Sequence, residues 1–414
     1  LDEVVVVGYG SQKKVNVTGS VSMVDSKVIE SRPVQNVSQA LQGVVPGLNM
    51  SVGNSGGALD SSLSINIRGA GTIGEGSSGS PLVLIDGIEG DMNTVNPNDI
   101  ENISVLKDAA SSSIYGARAS FGVIMITTKS GKSGKTRVNY SGNVRFSDAI
   151  QIPDMVDSYT FAQYFNRANT NDGGGLVFDE AALERIKNYQ TGKYTDPNTP
   201  EYYGAKAGND GKWQNYTGSF ANTDWFKEAS KPGLYTNANI TYTGSSGRMR
   251  SFVMADYYRE EGAIKDFTLD RFTFRSNNDV KFTDRFTMST KISGSLSRTD
   301  SQQRSVYNTY LYLPWDFPYN EDGSIRSGQE QDWRGRDGIN DMYDLQWNWS
   351  RSKKLTVDGT INFNYQITDW LRFESNNSIR YLSNRSESYT DKRSRSGQSD
   401  KGSLSNSNSL LTKQ

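Results

Sequence analysis

Leu355-Thr356-Val357-Asp358-Gly359-Thr360-Ile361-Asn362-Phe363-Asn364-Tyr365-Gln366-Ile367 alternates without a slip. One face reads Leu355, Val357, Gly359, Ile361, Phe363, Tyr365 and Ile367. The other, starting at Lys354, reads Thr356, Asp358, Thr360, Asn362, Asn364 and Gln366. A period of two marks an extended strand with unlike faces. Alternation alone fits a soluble β-sandwich equally well. Length decides against the sandwich, because globular strands cluster near 5 or 6 residues whereas a tilted membrane strand needs about 9 to 11. This segment therefore predicts an outer-membrane barrel strand, apolar towards lipid and polar towards a wet lumen.

Working outward, further segments follow the same rule. Val138, Tyr140, Gly142, Val144 and Phe146 oppose Arg137, Asn139, Ser141, Asn143 and Arg145, and Leu234, Ala238, Ile240 and Tyr242 oppose Tyr235, Asn237, Asn239 and Thr241. Phe252, Met254 and Tyr258 mark another strand, its phase blurred by Val253 and Tyr257. Phe272 and Phe274 oppose Arg271, Thr273, Arg275, Asn277, Asp279 and Lys281. Phe286 to Leu296 and Leu371 to Tyr381 follow, and a last strand starts near Ser403. The connections alternate. Gly244–Gly247, Thr283–Arg285 and Thr368–Trp370 are short, while 149–232 and 299–353 are long, as expected of a barrel with one tightly turned rim and one rim of large extracellular loops. An eight-stranded barrel fills with its own side chains, so more chain is expected to close this wall.

Composition limits the alternatives. A net charge of −1 and a pI near 5.9 give no electrostatic case for nucleic acid. The mean hydropathy of −0.64 does not argue against a membrane, since a barrel shows lipid only every second residue. The absence of cysteine excludes disulfides and zinc-thiolate sites, and the absence of histidine removes the usual general base and imidazole ligands. An enzyme would have to run on carboxylates, for instance Asp256 and Glu260 in a secreted β-rich carbohydrate-active protein. Nothing places that pair in a motif, and no enzyme is expected. Leu1 opens directly onto Asp2 and Glu3, so a signal peptide is either cleaved or lies upstream.

Residues before Arg137 are rich in Gly and Ser and predict a compact α+β domain. It has a helix over Val34–Leu41 capped by Asn36 or Ser38, and strands at Leu63–Ile67, Leu82–Ile85 and Val123–Thr127. Pro97-Asn98-Asp99 starts a helix or turn leading to Ile100, Ile103, Val105 and Leu106, and Ala109–Ile114 suggests a second short helix. Gly69–Gly74 satisfies GxGxxG, but the Gly/Ser run after it cannot open a phosphate-binding helix.

Asp2-Glu3-Val4-Val5-Val6-Val7-Gly8-Tyr9-Gly10, Ala40-Leu41-Gln42-Gly43-Val44-Val45-Pro46-Gly47-Leu48, Ile65-Asn66-Ile67-Arg68-Gly69 and Leu84-Ile85-Asp86-Gly87 resemble the plug of SusC/RagA-type TonB-dependent outer-membrane transporters. Ile103-Ser104-Val105-Leu106-Lys107-Asp108-Ala109-Ala110, Tyr115–Ala119, Gly122–Ile124 and Thr127–Lys129 continue the resemblance. It implies a membrane β-barrel, antiparallel and of about 22 strands when complete, with an N-terminal α+β plug inside the lumen. It also implies an importer of the Bacteroidetes outer membrane, partnered by TonB and capped by a SusD-like lipoprotein. Residues 1–10 would be TonB box and linker, 11–131 the plug, and 132–414 the first part of the barrel. The imported ligand would be an oligosaccharide or peptide; the alternative is a siderophore or cobalamin receptor.

The amino end agrees on physical grounds. Glu3 and the valines Val4, Val5, Val6 and Val7 make a β-prone segment before a Gly-Tyr-Gly hinge, which a partner's sheet edge can borrow. The other reading is an ordinary first plug strand. Arg68, at a strand end, and Asp86, in an Asp-Gly turn, are candidates to lock the plug to the wall, with Glu101 and Arg118 beside them. Each equally fits a structural ion pair. In the long loops, Ser158 is expected to cap a helix over Tyr159–Ala168, and Asp179 one over Glu180–Gln190. Tyr312, Trp315, Trp333, Tyr343 and Trp347 are candidates to contact ligand or lid. Asp337, Asn340, Asp341 and Asp344 could hold calcium through oxygen, although their spacing matches no standard loop. No other cofactor is expected.

Overall fold

The computed structural model describes the chain except residues 1–3, 8–9, 14–19, 31, 33, 35, 52–58, 60–62, 68, 70–78, 109–112, 132–133, 135, 149–152, 197, 200–201, 203–204, 208–212, 216–220, 302–305, 316–317, 320–322, 326–327, 330–337, 340, 395–402 and 414. Two bodies of secondary structure follow each other along it. The first contains β1 (Val4–Val7), β2 (Gly10–Lys13), β3 (Val21–Asp25), β4 (Leu48–Ser51), β5 (Ser64–Ile67), β6 (Leu82–Ile85), β7 (Ile88–Glu89), β8 (Ile100–Leu106) and β9 (Val123–Thr128). Its main sheet has the order β3-β8-β9-β6-β7. Both faces of this sheet are covered: Ile103, Val105, Ile124 and Ile126 pack with Ile29, Val37, Ala40 and Leu41 on one side, and Leu106, Val123 and Met125 with Leu82 and Leu84 on the other. Pro97–Asp99 forms the expected turn, one short 3-10 helix capped by Asn96, and it leads into the strand Ile100–Leu106. The Val37–Leu41 helix is capped by Asn36, whose side chain accepts from Gln39 N at 3.0 Å.

The second body is one antiparallel sheet of eight strands: β10 (Arg137–Ser147), β13 (Gly233–Ser246), β14 (Met249–Glu261), β15 (Thr268–Lys281), β16 (Phe286–Ser301), β19 (Trp349–Gln366), β20 (Arg372–Thr390) and β21 (Ser403–Lys413). Each pairs with its neighbour in chain order. The small hairpins β11 (Ala205–Ala207) with β12 (Trp213–Asn215), and β17 (Gly328–Gln329) with β18 (Gly338–Ile339), lie in the long connections. Residues 299–301 and 349–353 belong to strands, so the second long loop is shorter than its sequence pattern indicated.

Burial in this sheet is inverted relative to a soluble protein. Tyr140 and Phe146 are 73% and 75% exposed, and Ile240, Phe272, Ile292, Leu296, Phe373 and Ile379 are exposed as well. Thr273, Arg275, Asn277, Thr356 and Thr360 are buried. A sandwich would cover the apolar face; here the polar face is covered, by the first body. β14 departs from the rule: Phe252, Met254 and Tyr258 point inward and Tyr257 outward, because the inner face of this strand packs partly on apolar plug residues, including Leu59 against Tyr235 and Tyr258. The blurred phase in its sequence has this cause.

The two long connections fold together. The helix Ser158–Asn171 is capped by Asp157, one residue before the expected Ser158, with Asp157 accepting from Thr160 N at 3.0 Å. Asp179 caps Glu180–Gln190 as its position indicated. Ala221 N donates to Trp315 O at 2.9 Å and Thr223 N to Pro314 O at 2.7 Å, joining one loop to the other.

Candidate functional site

The tip of the β6–β7 hairpin carries Asp86 and Gly87, both with positive φ (51° and 89°), as a two-residue turn of this hand requires. The turn drives the Asp86 carboxylate against the wall. Asp86 Oδ1 accepts from Lys291 Nζ of β16 at 2.6 Å and from Thr128 N at 3.1 Å, and Oδ2 accepts from Thr128 Oγ1 at 2.7 Å. Arg275 of β15 stands 3.7 Å from Asp86 and donates through Nε to Asp99 at 3.0 Å. Asn277, two residues along the same inner face, donates to Thr128 Oγ1 at 3.0 Å and to the Lys129 carbonyl at 2.6 Å. Two carboxylates of the inner domain thus meet two cations of the wall.

The two carboxylates are not equivalent. Burial raises the carboxyl of Asp86, but Lys291 and Arg275 outweigh it and hold the group below its ordinary range. Burial dominates at Asp99 and pushes it up to about 6 against the pull of Arg275. A buried pair of this kind is costly to break one-sidedly, since a lone charge is left away from water.

A second set of contacts grips the same hairpin from the other side. Arg380 of β20 pairs with Asp358 of β19 at 2.5 Å and also donates to the Glu89 carbonyl. Lys354 of β19 lies 3.4 Å from Asp91. Gly90 permits the approach of Arg380, since a Cβ there would stand 2.5 Å from the guanidinium. Cations from four successive strands, β15, β16, β19 and β20, therefore converge on residues 86–91 and their neighbour Asp99.

Among the described residues singled out from sequence, only Asp86 lies in this contact. Arg68, Glu3 and Trp333 lie outside the described residues. Glu101 sits half-buried at the irregularity in the β8–β9 pairing. Arg118 pairs with Glu89 at 2.7 Å, both on the exposed surface of the inner domain. Asp99, Thr128, Arg275, Asn277 and Lys291 were not singled out. The signal available was the polar phase of the strands that carry Arg275 and Lys291. Val4–Val7 forms a two-stranded sheet with Gly10–Lys13, separate from the five-stranded sheet. Asp256 is buried on the inner face of β14, accepting from Asn237 at 2.7 Å, and Glu260 accepts from the Tyr258 hydroxyl.

In the loops, Trp315 has no exposed surface and is walled by Phe161 and Phe178 at 5.0 and 4.8 Å. Tyr312 is buried against Trp225 at 4.7 Å. Both belong to the loop core, a correction to their reading as contacts for ligand or lid. Tyr343 and Trp347 are half-buried, and the Arg393 guanidinium lies 3.6 Å over the Trp347 ring. Of the residues considered for calcium, Asp337 and Asn340 lie outside the described residues.

Comparison with known proteins places these features in a family. Residues 13–123 match the TonB-dependent Receptor Plug Domain. The chain is 31% identical over 337 residues to TonB-dependent receptor P26 of Formosa agariphila, covering 80% of this chain and 30% of that protein. It is 31% identical over 288 residues to TonB-dependent receptor SusC of Bacteroides thetaiotaomicron, covering 67% of this chain and 24% of that protein. In fold it is similar to the RagAB peptide importer in the open-open state, with a TM-score of 0.76 at 23% identity over 94% of this chain and 43% of the other. The chain spans less than a third of the length of the two curated relatives. With an inverted sheet wrapped on a plug-type domain, the chain belongs to the SusC/RagA type of TonB-dependent outer-membrane transporters, and comprises the plug and part of the barrel wall.

Proposed function

We propose that the full-length protein imports an oligosaccharide or a peptide across the outer membrane, driven by TonB and assisted by a SusD-like lipoprotein lid. It performs transport and no bond chemistry. The observation that carries this reading is mechanical: β1 is apart from the plug sheet, whereas the plug itself is fastened to the wall through Asp86 and Asp99. A two-stranded hairpin in water is marginal, so β1 can exchange its partner for the sheet edge of TonB, with Glu3 to Val7 as the borrowed strand. Force then reaches a plug that the ionic contact has held shut. Asp86 is the best-supported locking residue; Arg68, Glu101 and Arg118 remain candidates. The cargo classes come from relatives described as SusC and as a peptide importer, with Tyr343, Trp347 and Trp333 as candidate contacts for ligand or lid.

Deleting Glu3–Val7 from the full-length transporter tests this reading, using a labelled cargo identified by screening glycans and peptides against the purified protein. Uptake should be abolished while surface binding is retained. Undiminished uptake would refute the mechanism.

A further inference from the structure

We infer that the outward face of β16, β19 and β20 binds a phosphorylated glycolipid of the outer leaflet, its phosphate held by Arg298, Lys353 and Arg385 and its acyl chains laid on the apolar band below them. The strand register places the three cations together. Arg298 stands directly opposite Lys353, and Lys353 directly opposite Arg385. Each takes the outward phase of its strand, two positions beyond Leu296, Leu355 and Ser383 respectively. They form one row at the edge of the lipid-facing surface, with neighbouring Cα atoms about 5 Å apart.

Like charges in cross-strand register repel and destabilise a sheet, so such a row calls for an anion to cover it. The protein's own carboxylates do this incompletely. Arg259 and Asp270 extend the row onto β14 and β15, where they neutralise each other at 3.3 Å. Asp300 is shared between Arg298 at 3.1 Å and Arg351 at 3.4 Å, and Glu387 pairs with Arg385 at 2.5 Å. Lys353 is exposed and enters no ion pair among the described residues. Arg298, Arg351, Lys353 and Arg385 therefore face two carboxylates, Asp300 and Glu387. Exposed pairs of this kind are weak, which leaves the guanidiniums able to turn to a phosphate and bind it bidentately.

Position selects the lipid. Below the row the outward face carries Ile292, Leu296, Leu355, Val357 and Ile379, all exposed. From Phe286 to Leu296 this band runs ten residues of β16, roughly 34 Å along the strand. At a usual barrel tilt that is about 25 Å along the axis, the height of an apolar band that faces lipid. The row closes the band at the end where the connection 302–348 leaves β16, the side of the long extracellular loops. The opposite end differs. There Phe286, Tyr365 and Phe373 take the outward positions in register, and the nearby Arg285 pairs with Asp369 at 3.7 Å. Cations that merely snorkel to water would suit either rim, whereas a row at one rim suits a lipid confined to one leaflet. The outer leaflet of an outer membrane is built of acylated sugars that carry phosphate, which joins in one molecule the two chemistries this face presents.

The test uses the full-length transporter in neutral detergent, stripped of lipid, with purified lipid A as the probe and native mass spectrometry as the measure of affinity. Lys353→Gln should weaken binding about fivefold, the effect of removing one cation near an anionic lipid surface. The R298Q/K353Q/R385Q variant should weaken it at least about fiftyfold, and phosphatase-treated lipid A should bind the unaltered protein as poorly. Arg285→Gln, at the other rim, should leave binding unchanged. Without lipid, Lys353→Gln should melt no lower than the unaltered protein, because a repelling charge is removed and no ion pair is lost; this separates loss of the site from loss of the fold. Undiminished binding by the triple variant, undiminished binding after phosphate removal, or a lower melting point for Lys353→Gln without lipid would each overturn the inference. Equal affinity for phosphatidylglycerol would also overturn it, by assigning the row to anionic lipid of any kind.

Discussion

Lys291 of the barrel wall and Asp86 of the plug hairpin stand 2.6 Å apart across 205 residues of sequence. Their pairing, with Arg275 shared between Asp86 and Asp99, makes the plug and the wall one electrostatic unit. The unit is buried, so its members depend on one another more than surface pairs do.

Lys291→Met should loosen the plug by up to about 3–5 kcal/mol, because the Asp86 side chain, 5% exposed, loses its closest counter-charge and keeps only Arg275 at 3.7 Å. The double variant Asp86→Asn with Lys291→Met should recover part of that loss. Protease accessibility of the plug in the assembled transporter measures the order. Equal sensitivity of single and double variants would contradict the pairing.

The pH dependence follows from Asp99, whose carboxyl in the docked plug is raised to about 6 from an ordinary 3.8. A raised group binds protons more tightly in the docked state. Its contribution to docking is therefore complete below about pH 4 and is lost as pH rises through about 6. Asp86, held low, acts in the opposite sense only at still lower pH. The force needed to extract the plug should rise between pH 7 and pH 5, and Asp99→Asn should flatten that dependence.

Two glycines predict different outcomes at the plug–wall contact. In Gly90→Ala the new Cβ meets two side-chain ends, the Arg380 guanidinium at 2.5 Å and Ile85 Cδ1 at 2.8 Å, and Arg380 can shift at the cost of about 1 kcal/mol through its lost bond to the Glu89 carbonyl. In Gly131→Ala it would stand 2.4 Å from the Ser251 backbone nitrogen on β14, and backbone cannot step aside. Thermal unfolding should show a larger loss for Gly131→Ala than for Gly90→Ala.

Trp315→Ala should act through loop folding, losing about 3–5 kcal/mol from a buried site lined by Phe161 and Phe178. Cleavage of 148–232 and 302–348 by protease should increase together, because the loops share backbone hydrogen bonds at Ala221 and Thr223. Trp347→Ala should leave both loops resistant.

Much of the wall was legible from sequence because strand period reports directly which face meets lipid. Leu355–Ile367 shows this: Leu355, Ile361 and Tyr365 are exposed while Thr356 and Thr360 are buried. The reading blurred at β14, where the plug presents apolar atoms such as those of Leu59 to the lumen side. The Asp86 turn was visible as Asp-Gly. Its partners were not, since Arg275 and Asp99 lie 176 residues apart and nothing local to either specifies the other. Likewise Trp315 looked like a contact residue until the fold of two separate loops enclosed it.

The central claim is that this sheet faces lipid with its apolar side and the plug with its polar side. Nitroxide labels at Ile361 and Thr360, adjacent on β19, test it in the full-length transporter in bilayers by electron paramagnetic resonance. The account predicts that the label at 361 is relaxed strongly by oxygen dissolved in the lipid, and that the label at 360 is immobilised and shielded from it. Equal oxygen accessibility at the two positions, or the reverse order, would contradict it.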